Sequence, residues 1–158
     1  MVSSVICLVL LQGLYSDTSA SWNKKIEQTL DARMEACIEV IEDAQEEGVC
    51  PLLASSVAWH ESKFNKDAVS IVGARGVLQV LPKYWCPEKK WRGCDLTREG
   101  VKALKVYLNK YESEKEALCH YNSGNKCNKK SRYYAKKVLV TKNRLDYVWW
   151  WVRSMIFD

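Results

Sequence analysis

The sequence predicts an all-α fold, with at most a minor β-hairpin, in one domain of 158 residues. Two observations favour this class. Residues 25–47 carry apolar side chains at helical spacing with acidic residues opposite, which is typical of an amphipathic helix. No segment shows convincing strand alternation, and there is no internal repeat. A composition of 47% hydrophobic and 27% charged residues is that of an ordinary globular protein.

Residues 1–20 are predicted to be a signal peptide or an N-terminal anchor. Residues 5–14 form an apolar run, and Thr18-Ser19-Ala20 places small residues where a signal peptidase cuts. No Lys or Arg precedes the run, so a retained anchor is the alternative. A run of about ten apolar residues is shorter than the roughly 20 that span a bilayer as a helix. We favour export.

The helix over residues 25–47 is expected to stop at Gly48, and a second helix to begin at Pro51. Leu53, Val57 and Glu61 then share one helical face, so Glu61 is predicted to lie among apolar neighbours. Burial disfavours the charged form of a carboxyl and raises its pKa, as a general acid near neutral pH requires. The alternative is a solvent-facing Glu at the end of a helix.

The rest of the chain is predicted to alternate loops and helices. Residues 65–76 are a loop, 77–81 a short apolar element, and 83–95 a polar excursion that contains Trp85 and Trp91. These two Trp side chains either line a binding groove or pack beneath the excursion. Helices are expected over residues 97–111, 113–120 and 131–145, with a loop over 122–129.

The aromatic tail of residues 147–158, with Trp at positions 149, 150 and 151, has two interpretations. It is either an interfacial membrane anchor, since Trp prefers the membrane–water boundary, or a segment that folds back over the domain's apolar surface. We favour the second. Residues 21–146 are then the folded domain.

Six cysteines lie outside residues 1–20, and we predict that they form disulfides, which indicates an oxidising compartment. Fifteen connectivities exist for six cysteines, and pairing of sequence neighbours is the simplest. A zinc site including Cys119 and His120 is the alternative, but there is no Cys-x-x-Cys pair, and we expect no metal. The neighbouring candidates are Cys37 and Cys50, Cys86 and Cys94, and Cys119 and Cys127.

A formal net charge of +5 suits an acidic polymer as partner, of which nucleic acid is one class. The chain has no zinc-finger spacing, no basic helix with heptads and no RNA-binding signature. We therefore expect no nucleic-acid partner.

The segment from Glu61 to Pro82 contains Glu61-Ser62, then Ser70, then Gly73-Ala74-Arg75-Gly76-Val77-Leu78-Gln79. It resembles the signature of the soluble lytic transglycosylase family, which belongs to the lysozyme-like superfamily. Two later segments, Tyr121-Asn122-Ser123-Gly124 and Tyr134-Ala135-Lys136-Lys137-Val138, are similar to the second and third motifs of that family. The resemblance covers residues 35–140. Gly100-Val101, where the family usually has Asn-Ile, is a departure, as are His120 and Ser123 in place of alanines.

The resemblance implies a lysozyme-like fold and an exported, periplasmic enzyme that cleaves the glycan strands of peptidoglycan without a cofactor. Glu61 is then the catalytic acid and base that forms a 1,6-anhydro product, and the residues around the glycan are Ser70, Gln79, Tyr121, Asn122 and Tyr134. Asp67 and Asp95 stand in no recognisable second-carboxylate motif. The alternatives are a hydrolytic lysozyme and a non-catalytic glycan-binding component of an envelope-spanning machine. Phage or secretion machinery is the expected class of protein partner, and membrane contact through the termini is left open.

Overall fold

The computed structural model describes residues 2–15, 24–124 and 126–157. Within them the chain forms seven α-helices, and the β contacts are isolated bridges that join Arg75 to Val69 and to Val80. The all-α prediction is therefore confirmed. The helices are α1 (Val2–Tyr15), α2 (Lys24–Glu47), α3 (Pro51–Ser62), α4 (Pro82–Trp85), α5 (Leu96–Lys110), α6 (Glu114–Ser123) and α7 (Lys129–Phe157), with a 3₁₀ turn at Pro87–Lys89.

Helix α3 runs through the centre of the fold and packs against both α2 and α7. Its residues 52–58 are all buried. The hydroxyls of Ser55 and Ser56 donate to backbone carbonyls four residues earlier, at 2.8 and 2.7 Å, so that these buried polar groups are satisfied. Because protein surrounds α3, the direction in which Glu61 leaves its last turn is fixed.

The chain reverses sharply after α3. Lys63 and Phe64 adopt left-handed backbone conformations, with φ of 55° and 61°. The Arg33 guanidinium of α2 donates to the Lys63 carbonyl, and the Phe64 ring is buried in the core. Leu53 and Val57 are also buried, so the predicted apolar face of α3 is confirmed, with Glu61 only partly exposed beyond it.

Gly100 allows α5 to approach Leu78 very closely. A Cβ atom added at Gly100 would lie 2.5 Å from the Cβ of Leu78, closer than real side chains come. Leu78 is fully buried there. The departure from the family's Asn at this position therefore has a packing reason, since only Gly leaves room for Leu78.

The disulfide pattern differs in one pair from the prediction. Cys86 bonds to Cys94, and Cys119 bonds to Cys127, as expected, so the Cys119 sulfur is no zinc ligand. Cys37 bonds to Cys7 of α1, whereas Cys50 is exposed and free. The predicted Cys37–Cys50 pair is thus wrong, because α1 packs on α2 with Cys7 buried beside Cys37, while the side chain of Cys50 is exposed between the core residues Val49 and Leu52.

The N-terminal segment lies partly outside the described residues. The predicted cleavage positions Thr18-Ser19-Ala20 belong to the undescribed part, so cleavage stays a prediction. The described part, α1, places Ile6, Leu10 and Leu11 in the core. No helix in the described residues is long and apolar enough to cross a bilayer.

Two helix boundaries also differ from expectation. Helix α6 continues to Ser123 and ends at Gly124, which has a φ of 69°, so Tyr121 and Asn122 lie in its last turn and not in a loop. Helix α7 begins at Lys129, where the Asn128 side chain accepts hydrogen bonds from the first turn.

Helix α7 then continues through the predicted aromatic tail as far as Phe157. The tail is therefore the end of α7 and not a separate segment that folds back, and within it Val148 and Trp149 are half-buried. Tyr147, Trp150 and Trp151 are 66%, 63% and 49% exposed. The reason is local: residues 129–157 contain neither Gly nor Pro, and no capping signal ends the helix before the Trp residues.

Candidate active site

An open cleft of about 500 Å³ lies where the C-terminal ends of α3 and α6 meet the loop between α3 and α4. Five of the six site residues predicted from the sequence line it, namely Glu61, Ser70, Gln79, Tyr121 and Asn122. The sixth, Tyr134, lies behind Glu61 and contacts it directly. The structure therefore brings together residues that are up to 73 positions apart in the chain.

The pKa of Glu61 is unusually high for a glutamate. Burial raises its pKa from 4.5 to about 7, and the hydrogen bond from Tyr134 lowers it in part. The Tyr134 hydroxyl donates to Glu61 Oε1 at 2.6 Å. A carboxyl in this range is present both protonated and ionised near neutral pH, so it can donate and accept a proton.

Tyr121 and Tyr134 both keep their hydroxyl protons, and so can donate hydrogen bonds, across the physiological pH range. Burial, and next the charge of Glu61, raise the pKa of Tyr121 and of Tyr134 well above 10. Tyr121 donates to the Leu78 carbonyl at 2.7 Å. Tyr134 thus holds the carboxyl of Glu61, whereas Tyr121 holds the backbone that precedes Gln79.

His60, next to Glu61 in the chain, is directed elsewhere. Its Nε2 atom shares a hydrogen bond of 2.8 Å with the Thr141 hydroxyl of α7. Burial, and then the charges of Lys63 and Lys137, lower the pKa of His60 to about 4. The imidazole is therefore neutral at physiological pH and lies outside the cleft lining.

The loop over residues 65–81 forms one wall of the cleft and is held by its own side chains. Ser62 donates to the Val77 carbonyl at 2.8 Å and ties this wall to the end of α3. Ser70 Oγ accepts from the backbone N–H of Ala74 at 3.0 Å, closing a turn. Gln79, with a φ of 50°, donates both amide hydrogens to backbone carbonyls at 3.0 and 3.1 Å. Its Oε1 atom is then the group left for a ligand.

The opposite wall is the last turn of α6. Asn122 is exposed there and lies at the mouth of the cleft, followed by Ser123 and Gly124. His120 shares a hydrogen bond of 2.7 Å with the Gly124 carbonyl, and its ring stacks on Tyr111 at 4.2 Å. His120 therefore fixes this turn and is not among the residues that line the cleft.

Aromatic residues complete the lining, and sequence reasoning missed most of them. Tyr84, Trp85 and Tyr107 line the cleft, and Tyr84 is 70% exposed. Of the two alternatives for the tryptophans of the excursion, lining the groove holds for Trp85, and neither holds for Trp91, which is 44% exposed. Trp85 lines the cleft, whereas Trp91 stacks on the Arg75 guanidinium at 4.4 Å. No local pattern marked Tyr107, which enters the site from the last turn of α5.

Among the described residues that line the cleft, Glu61 is the one carboxylate. Asp67 is exposed in the loop after α3. Asp95 accepts a hydrogen bond of 3.1 Å from the backbone of Arg98 and caps α5. Neither aspartate is available as a second acidic group beside Glu61.

A separate group of three carboxylates, Glu39, Asp43 and Asp95, brings its oxygen atoms within 4.8 Å of one another. Glu39 pairs with Lys66, and one buried oxygen of Asp43 has no partner among the described residues. Burial, and next the charge of Asp95, raise the pKa of Asp43 to about 6. We assign no ligand to this group, since clustered acidic residues alone do not define a site.

A family model described as "Transglycosylase SLT domain" matches residues 39–142, about two thirds of the chain. The chain belongs to this SLT family. The match supports a transglycosylase that acts on peptidoglycan, and the disulfides fit an exported protein. No curated protein matched the chain.

The matched range of the SLT domain contains every residue predicted for the site, from Glu61 to Tyr134. It excludes α1 and the exposed aromatic end of α7. Those two parts of the described structure are thus additions beside the SLT domain.

Proposed function

We propose that this protein is a lytic transglycosylase that cleaves the β-1,4 bond between N-acetylmuramic acid and N-acetylglucosamine. The observation that carries the proposal is Glu61, whose pKa of about 7 places it at the point where one carboxyl can serve as acid and then as base. It lies in an open cleft within a domain of the SLT family.

In the first step the protonated Glu61 donates its proton to the glycosidic oxygen. The bond between this oxygen and C1 of the muramoyl sugar breaks, and the N-acetylglucosamine chain leaves with a new hydroxyl. In the second step the Glu61 carboxylate accepts the proton of the muramoyl C6 hydroxyl while O6 attacks C1. The product is a 1,6-anhydro sugar, no water is consumed, and Glu61 is protonated again.

Tyr134 has a positioning role in this scheme. Its hydroxyl donates to Oε1, which leaves Oε2 of Glu61 for the glycan. The hydrogen bond favours the ionised form of Glu61, whereas burial favours the neutral form. Because these two effects oppose each other, the pKa of Glu61 stays at about 7, where the carboxyl can donate a proton in the first step and accept one in the second.

The remaining cleft residues bind the sugar chain. Ser70, Gln79 and Asn122 offer a hydroxyl and two amides to the sugar hydroxyl and N-acetyl groups. Tyr84 and Trp85 offer aromatic faces on which a sugar ring can stack. Tyr121 acts indirectly, through the backbone that it holds at Leu78.

A hydrolytic lysozyme of the usual kind needs a second carboxylate across the scissile bond. Because the described lining offers Glu61 alone, the geometry favours the intramolecular attack by O6. The disulfides favour an exported site of action, for which we propose the periplasm. An envelope-spanning secretion or phage machine as partner stays a prediction.

Digestion of purified sacculi, followed by mass spectrometry of the products, tests the proposal. The expected products carry 1,6-anhydro ends, which are lighter by one water than the reducing ends that a lysozyme leaves. Glu61→Gln should lose roughly 10²–10⁴-fold or more of the activity, because an amide cannot donate the proton. The matched control is Glu112→Gln at an exposed glutamate, which should remain fully active.

Three results would contradict the proposal. Reducing ends from the wild type would indicate a lysozyme. Near-wild-type digestion by Glu61→Gln would remove Glu61 from the mechanism. Binding to sacculi without any product would indicate a glycan-binding protein.

A further inference from the structure

The aromatic end of α7 is exposed and ordered as a helical stripe. Tyr147, Trp150 and Trp151 lie at positions i, i+3 and i+4, which share one side of a helix. The rings of Tyr147 and Trp150 stack on each other, with centroids 6.5 Å apart. Soluble monomers rarely expose a contiguous aromatic surface of this kind to water, so this surface indicates a binding site.

The apolar surface extends from α7 onto α1. A shallow groove of about 590 Å³ is lined by Val9 of α1 and by Val140, Tyr147 and Val148 of α7. Leu8, beside Val9, is 50% exposed. We call the surface formed by Leu8, Val9, Val140, Tyr147, Val148, Trp150 and Trp151 the α1–α7 face.

Basic side chains flank this face. Arg144 lines the groove, and Arg153 follows the tryptophans; both are exposed. Lys142, by contrast, is already paired with Glu114 at 3.0 Å. Asp146 is the one acidic residue of α7 between positions 140 and 157.

We propose that the α1–α7 face docks on the surface of a lipid bilayer that contains anionic headgroups. Trp and Tyr prefer the membrane–water interface, and the two arginines complement negative lipid charge. The helix lies on such a surface and does not cross it, since no described helix is long and apolar enough to span. This inference is independent of the glycan chemistry.

Charge also argues against a second copy as the occupant. In a two-fold dimer the same patch faces itself, so the Arg144 and Arg153 flanks of two copies would be set against like charge. An anionic bilayer removes that conflict.

Sedimentation of the full chain with vesicles tests the proposal. We expect binding to vesicles of phosphatidylcholine mixed with phosphatidylglycerol, and weaker binding to phosphatidylcholine alone. The triple variant Tyr147→Ser, Trp150→Ser, Trp151→Ser should lower the partition coefficient by about 10-fold or more, because buried aromatic area is lost. The matched control is Tyr133→Ser, at a tyrosine of α7 that is 64% exposed and lies 14 residues before Tyr147.

The contribution of charge is tested separately. The double variant Arg144→Gln, Arg153→Gln should weaken binding to the anionic vesicles by about fivefold for each arginine and change binding to neutral vesicles little. The matched control is Lys130→Gln with Arg132→Gln, two exposed basic residues at the opposite end of α7.

Quenching of wild-type tryptophan fluorescence by brominated lipids gives a readout that needs no mutation and therefore no folding control. Quenching is expected. Absence of quenching, or equal partitioning of the wild type and the triple aromatic variant, would overturn the proposal. A third result would also overturn it: the wild type is a dimer in sedimentation equilibrium and does not bind vesicles, and the triple variant is a monomer.

Discussion

Replacing Glu61 by Gln should stabilise the folded protein at alkaline pH while changing its stability little in acid. Folding raises the pKa of Glu61 from 4.5 to about 7, so the folded state holds a proton over that interval that the unfolded chain has released. The stability that this proton contributes is fully present below pH 4.5 and is lost as the pH rises to about 7. The amide of the Glu61→Gln variant is neutral at every pH, so the variant does not lose this stability as the pH rises.

The size of the effect follows from the shift. Each pKa unit corresponds to about 1.4 kcal/mol, so a shift from 4.5 to about 7 gives an upper limit of about 3 kcal/mol above pH 7. In acid the protonated carboxyl and the amide are both neutral, and both accept the hydrogen bond from Tyr134. The two proteins should then have nearly equal free energies of unfolding.

Urea denaturation of wild type and variant at about pH 4 and about pH 8.5 measures this difference. Asp43 also has a raised pKa, of about 6, but it contributes equally to both proteins and cancels. Glu112→Gln, at an exposed glutamate, is the control for the substitution itself and should change the free energy of unfolding little. If Glu61→Gln differs from the wild type by the same amount at both pH values, Glu61 titrates as an ordinary glutamate and the argument from burial is refuted.

Three further predictions concern the site and its support. Tyr134→Phe removes the bond that lowers the pKa of Glu61, so we expect activity to fall about 10-fold or more and the alkaline limb of the pH–rate profile to move upward; an unchanged limb would contradict this. Gly100→Ala should lower the free energy of unfolding by about 1–3 kcal/mol through overlap with Leu78, measured by urea denaturation, and combining it with Leu78→Gly, which removes the overlapping Cβ, should cost less than the sum of the two single changes. Thiol titration of the denatured, unreduced full chain should find one reactive group, that of Cys50, whereas two or more would overturn the disulfide pattern.

Sequence periodicity placed Glu61 in line with an apolar helix face, because helix periodicity is a local property, but the solvent-facing alternative was rejected only on the resemblance to a family. Leu53 and Val57 repeat at helical spacing, and Glu61 continues the same line. The contact with Tyr134 is different in kind. It spans 73 residues, and periodicity contains no information on such a pair, which came only from the resemblance to a family.

The predictions from sequence were wrong where two distant segments pack together, and where the end of a helix was placed at the wrong residue. Pairing of Cys37 with Cys7 depends on how α1 packs on α2, and spacing alone does not determine it. The last turn of α6 could have been found from Gly124, a usual residue after a helix end. The continuation of α7 could have been found from the lack of Gly and Pro over residues 129–157.

The bond between Cys7 and Cys37 makes the polypeptide between these residues one side of a covalent ring. A cut after Ala20, or at any other peptide bond in that ring, would yield two polypeptides that remain a single molecule. Helix α1 would then separate only when the disulfide is reduced. Cutting and removal of the N-terminal segment are therefore two chemical events, and electrophoresis with and without reductant distinguishes them.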